Sequence, residues 1–158
     1  MMEGSPEGGQ RLLRGFQLNG NPFVWSPGKS PMLPVDEPQI LAELTVMFEV
    51  YERSLTGNDI ETLNSLFWND PRTVRYGTRV AELQHGHKEI AEFRIRRGAV
   101  NQARELANQR VTTFGKDFGV TTTEFRAAGS PKIGRQSQTW IRTSQGWKII
   151  SAHVSFGL

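Results

Sequence analysis

The chain has 158 residues, enough for one domain with a real hydrophobic core and too few for two comfortable ones. Apolar residues make up 37% and charged residues 22%, which excludes wholesale disorder. No cysteine is present, so disulfides, Cys-ligated zinc and a thiol nucleophile are excluded together, and the net charge of +3 leaves a choice between nucleic acid and a small anion as the basic protein's ligand.

Residues 1–37 read as a flexible N-terminal extension. Pro6, Pro22, Pro27, Pro31 and Pro34 interrupt any helix and glycines are dense. Phe16, Phe23, Val24 and Trp25 are the exceptions, able to pin the tail to the domain or to a second subunit. Met1 to Gln10 lacks the basic and apolar regions of a secretory signal, and no apolar run is long enough to span a bilayer, so the expected location is cytoplasmic.

A domain is expected over 38–158. Asp36 is placed to cap a first helix, with Pro38 in its first turn and Ile40, Leu41, Leu44, Met47, Phe48, Tyr51 and Leu55 on one face. Gly57 ends that helix. Asn58 opens a second, with Glu61 in capping-box position, and Asp70-Pro71 stops it. Thr73–Tyr76 and Arg79–Leu83 then read as short strands, followed by a third helix from about His87 to Arg97. Val111–Lys116, Phe118–Arg126, Arg135–Arg142 and Trp147–Phe156 are rich in Thr, Val, Ile, Phe and Trp and read as strands of an antiparallel meander. Three helices cannot cover both faces of so long a sheet. The pattern therefore predicts an α+β cone: a strongly curved antiparallel sheet around the helices, with its outer face buried in a homodimer.

Several polar residues stand out against this apolar pattern. Tyr51 falls on the buried face of the first helix, either as a core aromatic with its hydroxyl at the rim or as a phenol aimed into a pocket. Arg75 shares a strand face with Thr73. If it points inward it needs a carboxylate, from a ligand or from Glu124 or Glu82. Glu124, inside a Thr- and Val-rich strand, is either exposed at an edge, salt-bridged, or a proton carrier. His153 is read on the face carrying Trp147, Ile149, Ser151 and Ser155, as a core residue or an acid–base group. A three-residue turn before it would set it opposite Ser137, a four-residue turn opposite Gln136.

Other functions are argued against. Arg94, Arg96 and Arg97 form a short basic burst without a Lys/Arg run or an RNA-binding motif, so no nucleic acid partner is expected. His85-Gly86-His87 lacks a third ligand, and Gly86 suits a turn, so no metal is expected. No phosphate-binding glycine loop or nucleophile elbow occurs, and no cofactor is expected.

Three segments together resemble a known family. They are Phe67-Trp68-Asn69-Asp70-Pro71-Arg72-Thr73-Val74-Arg75-Tyr76-Gly77; Val111-Thr112-Thr113-Phe114-Gly115-Lys116-Asp117-Phe118 with Thr123-Glu124-Phe125; and Gly134-Arg135-Gln136-Ser137-Gln138-Thr139-Trp140 with Gly146-Trp147-Lys148-Ile149 and Ala152-His153-Val154-Ser155. In order and spacing they resemble the AtzH-like family of the nuclear-transport-factor-2-like, or SnoaL-like, superfamily, which includes proteins named for oxalurate catabolism. The resemblance runs from about Ile40 to the end. The tail and the stretch Ala99 to Asn108 depart from it.

The resemblance implies a conical fold, a sheet-mediated dimer and an association with amidases of ureido compounds. On that basis the expected function is decarboxylating or hydrolytic cleavage of a small ureido-carboxylate. Arg75 and Arg94 would hold the carboxylate, Tyr51 would donate a proton, and His153 or Glu124 would shuttle a proton or orient water. Trp68 would form an apolar wall, and Gln138 would read the amide edge. The alternatives are a non-catalytic accessory protein partnering an amidase, and a SnoaL-like isomerase or aldol-type enzyme.

Overall fold

The computed structural model describes residues 17–18, 21–22, 33–99 and 103–157. The chain divides into two compact units, Met1–Met32 and Leu33–Leu158. In the first, β1 (Gln17–Leu18) pairs antiparallel with β2 (Asn21–Pro22). The expectation for Phe16, Phe23, Val24 and Trp25 lies outside the described residues. No helix among the described residues is long and apolar enough to cross a membrane.

The second unit begins at Leu33, before the expected boundary, because residues 34–36 are stitched to the sheet. Val35 bridges Phe114, the Gly115 N–H donates to the Pro34 carbonyl, and Asp36 exchanges backbone and side-chain hydrogen bonds with Thr113. Asp36 is therefore not the helix cap: with φ 55° it turns its carboxylate to the Thr113 N–H, and Glu37 takes the cap position without a side-chain bond.

Helix α1 (Pro38–Thr56) follows as its apolar spacing predicts, burying Ile40, Leu44, Phe48, Tyr51 and Leu55. Each large apolar side chain so buried contributes about 1.5–3 kcal/mol relative to exposure. Helix α2 (Ile60–Leu66) is capped by Asp59, whose side chain accepts from the Thr62 N–H, not by Asn58. Asn58 adopts the left-handed conformation that an Asn tolerates between two helices.

After α2 the chain enters the sheet through Phe67, which bridges Ile149. Asp70 then organises the loop, accepting from the Arg72 backbone N–H at 2.8 Å and from its guanidinium at 2.7 and 2.8 Å. Strands β3 (Val74–Tyr76) and β4 (Leu83–His85) form a hairpin whose second strand lies later than expected, because residues 77–82 make the turn, closed by Gly77 N–H to Glu82 C=O. Helix α3 (Gly86–Arg97) starts at Gly86, where φ is +80° and a Cβ would stand 3.2 Å from the Cα of Pro71. Only glycine fits that approach without strain.

Strands β5 (Arg104–Phe114), β6 (Phe118–Ala127), β7 (Ile133–Thr143) and β8 (Gly146–Phe156) complete a six-stranded sheet in the order β4-β3-β8-β7-β6-β5. The three helices pack on one face of this sheet to give a conical α+β unit. All neighbours are antiparallel except β3 and β8, which run parallel. Strand β5 starts seven residues before the expected Val111, since the polar run Asn108-Gln109-Arg110, which hides its alternation, falls at a bulge between Ala107 and Arg110.

The core lies between α1 and the inner sheet face, around Leu44, Leu63, Phe67, Ile90, Trp140 and Ile149. Part of the inner face is polar. Thr113, Thr121, Thr123, Gln136 and Gln138 are all buried there. Such a row is costly to desolvate without partners, and it leads towards a cleft.

Candidate functional site

A cleft of about 240 Å³ opens between α1, α3, the β3–β4 hairpin and the inner face of the sheet. Its geometry follows from three local patterns. Tyr51 and Leu55, four residues apart, look into it from the last turns of α1. Arg94 and Arg97, three apart, share the inner side of α3, whereas Arg96 turns outward to an ion pair with Glu92. Arg75 points inward from β3, in register with Gln84 and Ala152.

This side of the cleft is a cationic wall. Arg94 is 3% exposed and donates to the Leu63 carbonyl at 3.1 Å and to Asn64 Oδ1 at 2.9 Å. Its guanidinium lies 4.5 Å from the centre of the Phe67 ring. Burial pushes its pKa down to about 10, with the Arg75 and Arg97 charges adding to the effect and Tyr51 opposing it. Arg97 is also lowered, first by burial and then by Arg75, and its Nε has no hydrogen-bond partner. Arg75 donates to Gln84 Oε1 at 2.8 Å, a neutral acceptor, and shares the Phe93 ring with Arg97. Against these three cations the lining of this wall supplies one carboxylate, Glu82, which also accepts from the Thr78 N–H.

The opposite wall is ion-paired. Arg104, at the start of β5, forks onto Glu52 of α1, with Nε–Oε2 3.0 Å and Nη2–Oε1 2.6 Å. Gln136 of β7 bridges the pair, donating to Glu52 at 3.1 Å and accepting from Arg104 at 3.2 Å. The Arg104 guanidinium stacks 4.5 Å over Phe125. Arg104, Gln136, Phe125, Phe156 and Val154 line this end.

Of the residues singled out from the sequence, Tyr51, Arg75 and Arg94 come together in the cleft. Gln138 lies one register row deeper and is fully buried. Its Oε1 accepts from the Thr121 hydroxyl at 2.9 Å, which in turn accepts from Trp140 Nε1 at 3.1 Å, while its Nε2 has no partner. Trp68 does not wall the cleft: its N–H is bonded to the Ile149 carbonyl, and its ring lies under the Arg72 guanidinium.

His153 and Glu124 face away from the cleft. The cause for His153 is a β-bulge in β8. Trp140 pairs with Ile149 and Thr139 with Ser151, so Ile150 is an extra residue and the side-chain alternation inverts after it. Trp147 and Ile149 stay inside, whereas Ser151, His153 and Ser155 emerge on the outer face and are not continuous with them. Glu124 is outside because Thr123 and Phe125 on either side are buried. It accepts from Asn108 at 2.7 Å and from Arg135 at 3.3 Å, and these bonds hold its carboxyl below the usual range. Both residues line a shallow outer groove of about 340 Å³ with Arg135 and Ser137.

His85 and His87 lie apart in their contacts. His85 is exposed at the strand end, and His87 Nε2 is 2.9 Å from the Asn64 carbonyl. Among the described residues no cluster of three or more metal-ligating groups exists. Sequence reasoning missed Arg104, Glu52 and Gln136 as a unit, because the first two are 52 positions apart and a bulge separates Arg104 from the recognisable part of β5. Arg97 was legible in principle from its helical spacing to Arg94.

The comparisons with known proteins agree with this architecture. A solved protein of unknown function from Pectobacterium atrosepticum is 46% identical, with a TM-score of 0.76, over 80% of this chain and 99% of its own. A cystatin-like fold protein from Burkholderia xenovorans is 48% identical, with a TM-score of 0.74, over 78% of this chain and 96% of its own. A nuclear transport factor 2-like superfamily protein from Salmonella enterica, 22% identical with a TM-score of 0.62 over 76% and 92%, shares the fold. No curated protein matches the chain. The AtzH-like family profile matches residues 33–157, the whole second unit but its last residue, and the chain belongs to the AtzH-like family.

Proposed function

We propose that the cleft binds a small ureido-carboxylate and that the protein cleaves its carbamate-type C–N bond, releasing carbon dioxide, with the cleft's own side chains. The observation that carries this reading is the wall of Arg75, Arg94 and Arg97 faced by the single carboxylate of Glu82. A half-buried cation cluster without matching carboxylates suits an anion. Planar guanidiniums suit planar carboxylate and carbonyl groups.

The chemistry needs a proton rather than an activated water. As the N–CO₂⁻ bond breaks, its electron pair passes to nitrogen, and carbon dioxide leaves. The nitrogen takes the phenol proton of Tyr51, which regains one from solvent. A guanidinium facing the neighbouring carbonyl stabilises the charge that spreads onto its oxygen. His153 and Glu124, on the far side of the sheet, take no part. A homodimer through the outer sheet face leaves this cleft accessible on each subunit.

The first test is a thermal-shift screen against oxalurate- and carboxyurea-like anions with Arg75→Ala alongside. A ligand at one hundred times its Kd stabilises the fold by about 2.7 kcal/mol. A shift that disappears in Arg75→Ala, together with carbon dioxide release from the carboxyurea-like anion by wild type and not by Tyr51→Phe, supports the reading. Absence of any shift removes it.

A second reading, a non-catalytic partner of an amidase, is favoured by one surface. Tyr76, Val80, Leu83 and Phe156 line a groove of about 640 Å³ beside the β3–β4 hairpin, and all four are exposed. Anion binding without turnover, and copurification with an amidase that Val80→Asp prevents, would decide for it.

A further inference from the structure

Arg75 and Arg104 mark opposite ends of the cleft. Their strands are separated by β8, β7 and β6, four inter-strand steps, or about 19 Å along the sheet before its curvature is counted. Both ends carry arginine, yet the two ends are chemically unlike. At the Arg75 end Arg75 and Arg94 donate to neutral amide and carbonyl oxygens, the Arg97 Nε has no partner, and a single carboxylate, Glu82, lines the wall. At the Arg104 end the Nε and Nη2 edge of the guanidinium is taken. Glu52 accepts through both oxygens, Gln136 is threaded between the two, and the Arg104 and Glu52 side chains are 6% and 12% exposed.

We propose that Glu52 is an orientation-determining residue: by occupying Arg104 it closes one end of the cleft to carboxylates and forces an anionic ligand to enter with its carboxylate towards Arg75, Arg94 and Arg97. This rests on the ureido-carboxylate reading for the identity of the ligand. It does not rest on that reading for the electrostatics, which follow from the ion pair.

Competition for the guanidinium sets the orientation. A bidentate carboxylate at a guanidinium fork is the arrangement a ligand carboxylate would itself make. Glu52 makes it first, from a helix that folding holds in place, so the ligand would have to displace a tethered competitor at very high effective concentration. No such competitor forks onto Arg75, whose Nη1 rests on an amide oxygen. Gln136 keeps one amide N–H for Glu52 and has a second available to a ligand's uncharged end. The cleft thus has an anion end and a neutral amide end, and the difference is set by a residue that does not itself line it.

The test is isothermal calorimetry with oxalurate, a monoanion that has a carboxylate at one end and an amide at the other. The variants are Arg75→Ala, Glu52→Gln/Arg75→Ala and Glu52→Gln/Arg104→Met. Arg75→Ala is expected to weaken binding about tenfold or more. Adding Glu52→Gln to Arg75→Ala is expected to recover about tenfold, because Arg104 now offers a second carboxylate position. Glu52→Gln/Arg104→Met, whose far wall is again neutral, is expected to bind within about twofold of wild type.

A Glu52→Gln/Arg75→Ala protein that is folded by circular dichroism yet binds no better than Arg75→Ala overturns the proposal. So does loss of binding in Glu52→Gln/Arg104→Met, which would make Arg104 itself the carboxylate position. Where Glu52→Gln does not fold, Glu52→Asp serves. It withdraws the carboxylate from the fork by one methylene, and the same partial recovery is expected. If wild type binds no anion at all, the ureido-carboxylate reading fails. The Glu52 assignment then stands or falls on whether Glu52→Gln alone gains oxalurate binding.

Discussion

Ser137 and His153 stand directly opposite each other on the outer face of the β7–β8 pair, although only Ser144 and Gln145 separate the two strands at their turn. The extra Ile150 makes up the register, and with it the acid–base candidate of the last strand leaves the cleft. His153→Ala and Glu124→Ala are accordingly expected to bind small anions within about twofold of wild type, since surface changes away from a site cost little. Calorimetry beside Arg75→Ala checks this. A tenfold loss in either variant would return the outer face to the site.

Arg94 has a structural duty beside the anion binding proposed for it, and the structural one is expected to dominate in a deletion. Arg94→Met removes a buried guanidinium and leaves the Leu63 carbonyl and Asn64 Oδ1 without their donor. A loss of about 2–4 kcal/mol in urea unfolding is expected. Arg75→Ala, which abandons the side-chain oxygen of Gln84 and the face of Phe93, is expected to lose less than about 1.5 kcal/mol, so the two arginines separate by stability even where both weaken anion binding.

The Thr121 hydroxyl ties Trp140 Nε1 to Gln138 Oε1 in the floor beneath α1. Thr121→Val keeps the shape and strands both partners in a buried place. The expected cost is about 2–4 kcal/mol, read from denaturant midpoints. Thr121→Ser, which keeps the hydroxyl, is expected to cost less than half of that.

Asp70 supplies a pH test. Hydrogen bonds from the Arg72 side chain, the largest cause, hold its carboxyl at about 2 against an ordinary 3.8. A folded-state pKa below the unfolded one means stability that is fully present above the unfolded value and is lost as pH falls through the folded one. Asp70→Asn is therefore expected to flatten the fall in melting temperature between about pH 4 and pH 2. An unchanged acid limb would show that the Asp70–Arg72 bonds contribute nothing.

The helices were legible because Ile40, Leu44, Phe48, Tyr51 and Leu55 keep the helical period without interruption. Long strands β6 and β7 were legible for the analogous reason. What escaped was everything that depends on a single inserted residue or on distant pairing. The β8 bulge inverts a face without changing composition, so Trp147 and His153 look alike in phase and are not. Arg104 reads as a loop residue until β5 is known to begin there, and the capping roles of Asp59 and Glu37 differ from those of Asn58 and Asp36 by one position. The half-legible site follows directly. Tyr51 and Arg75 lie on regular elements, and the Glu52–Arg104 wall does not announce itself in any local pattern.

Three guanidiniums brought together by folding repel one another before any ligand arrives, and the Arg94 and Arg97 pKa values register that strain alongside their burial. Against these three charges the wall supplies the carboxylate of Glu82. The ruggedness of the fold is therefore expected to depend on the surrounding solution: dilute, anion-poor buffer leaves the repulsion unscreened, and the carboxylate proposed to bind there would offset it much as an added acidic side chain would.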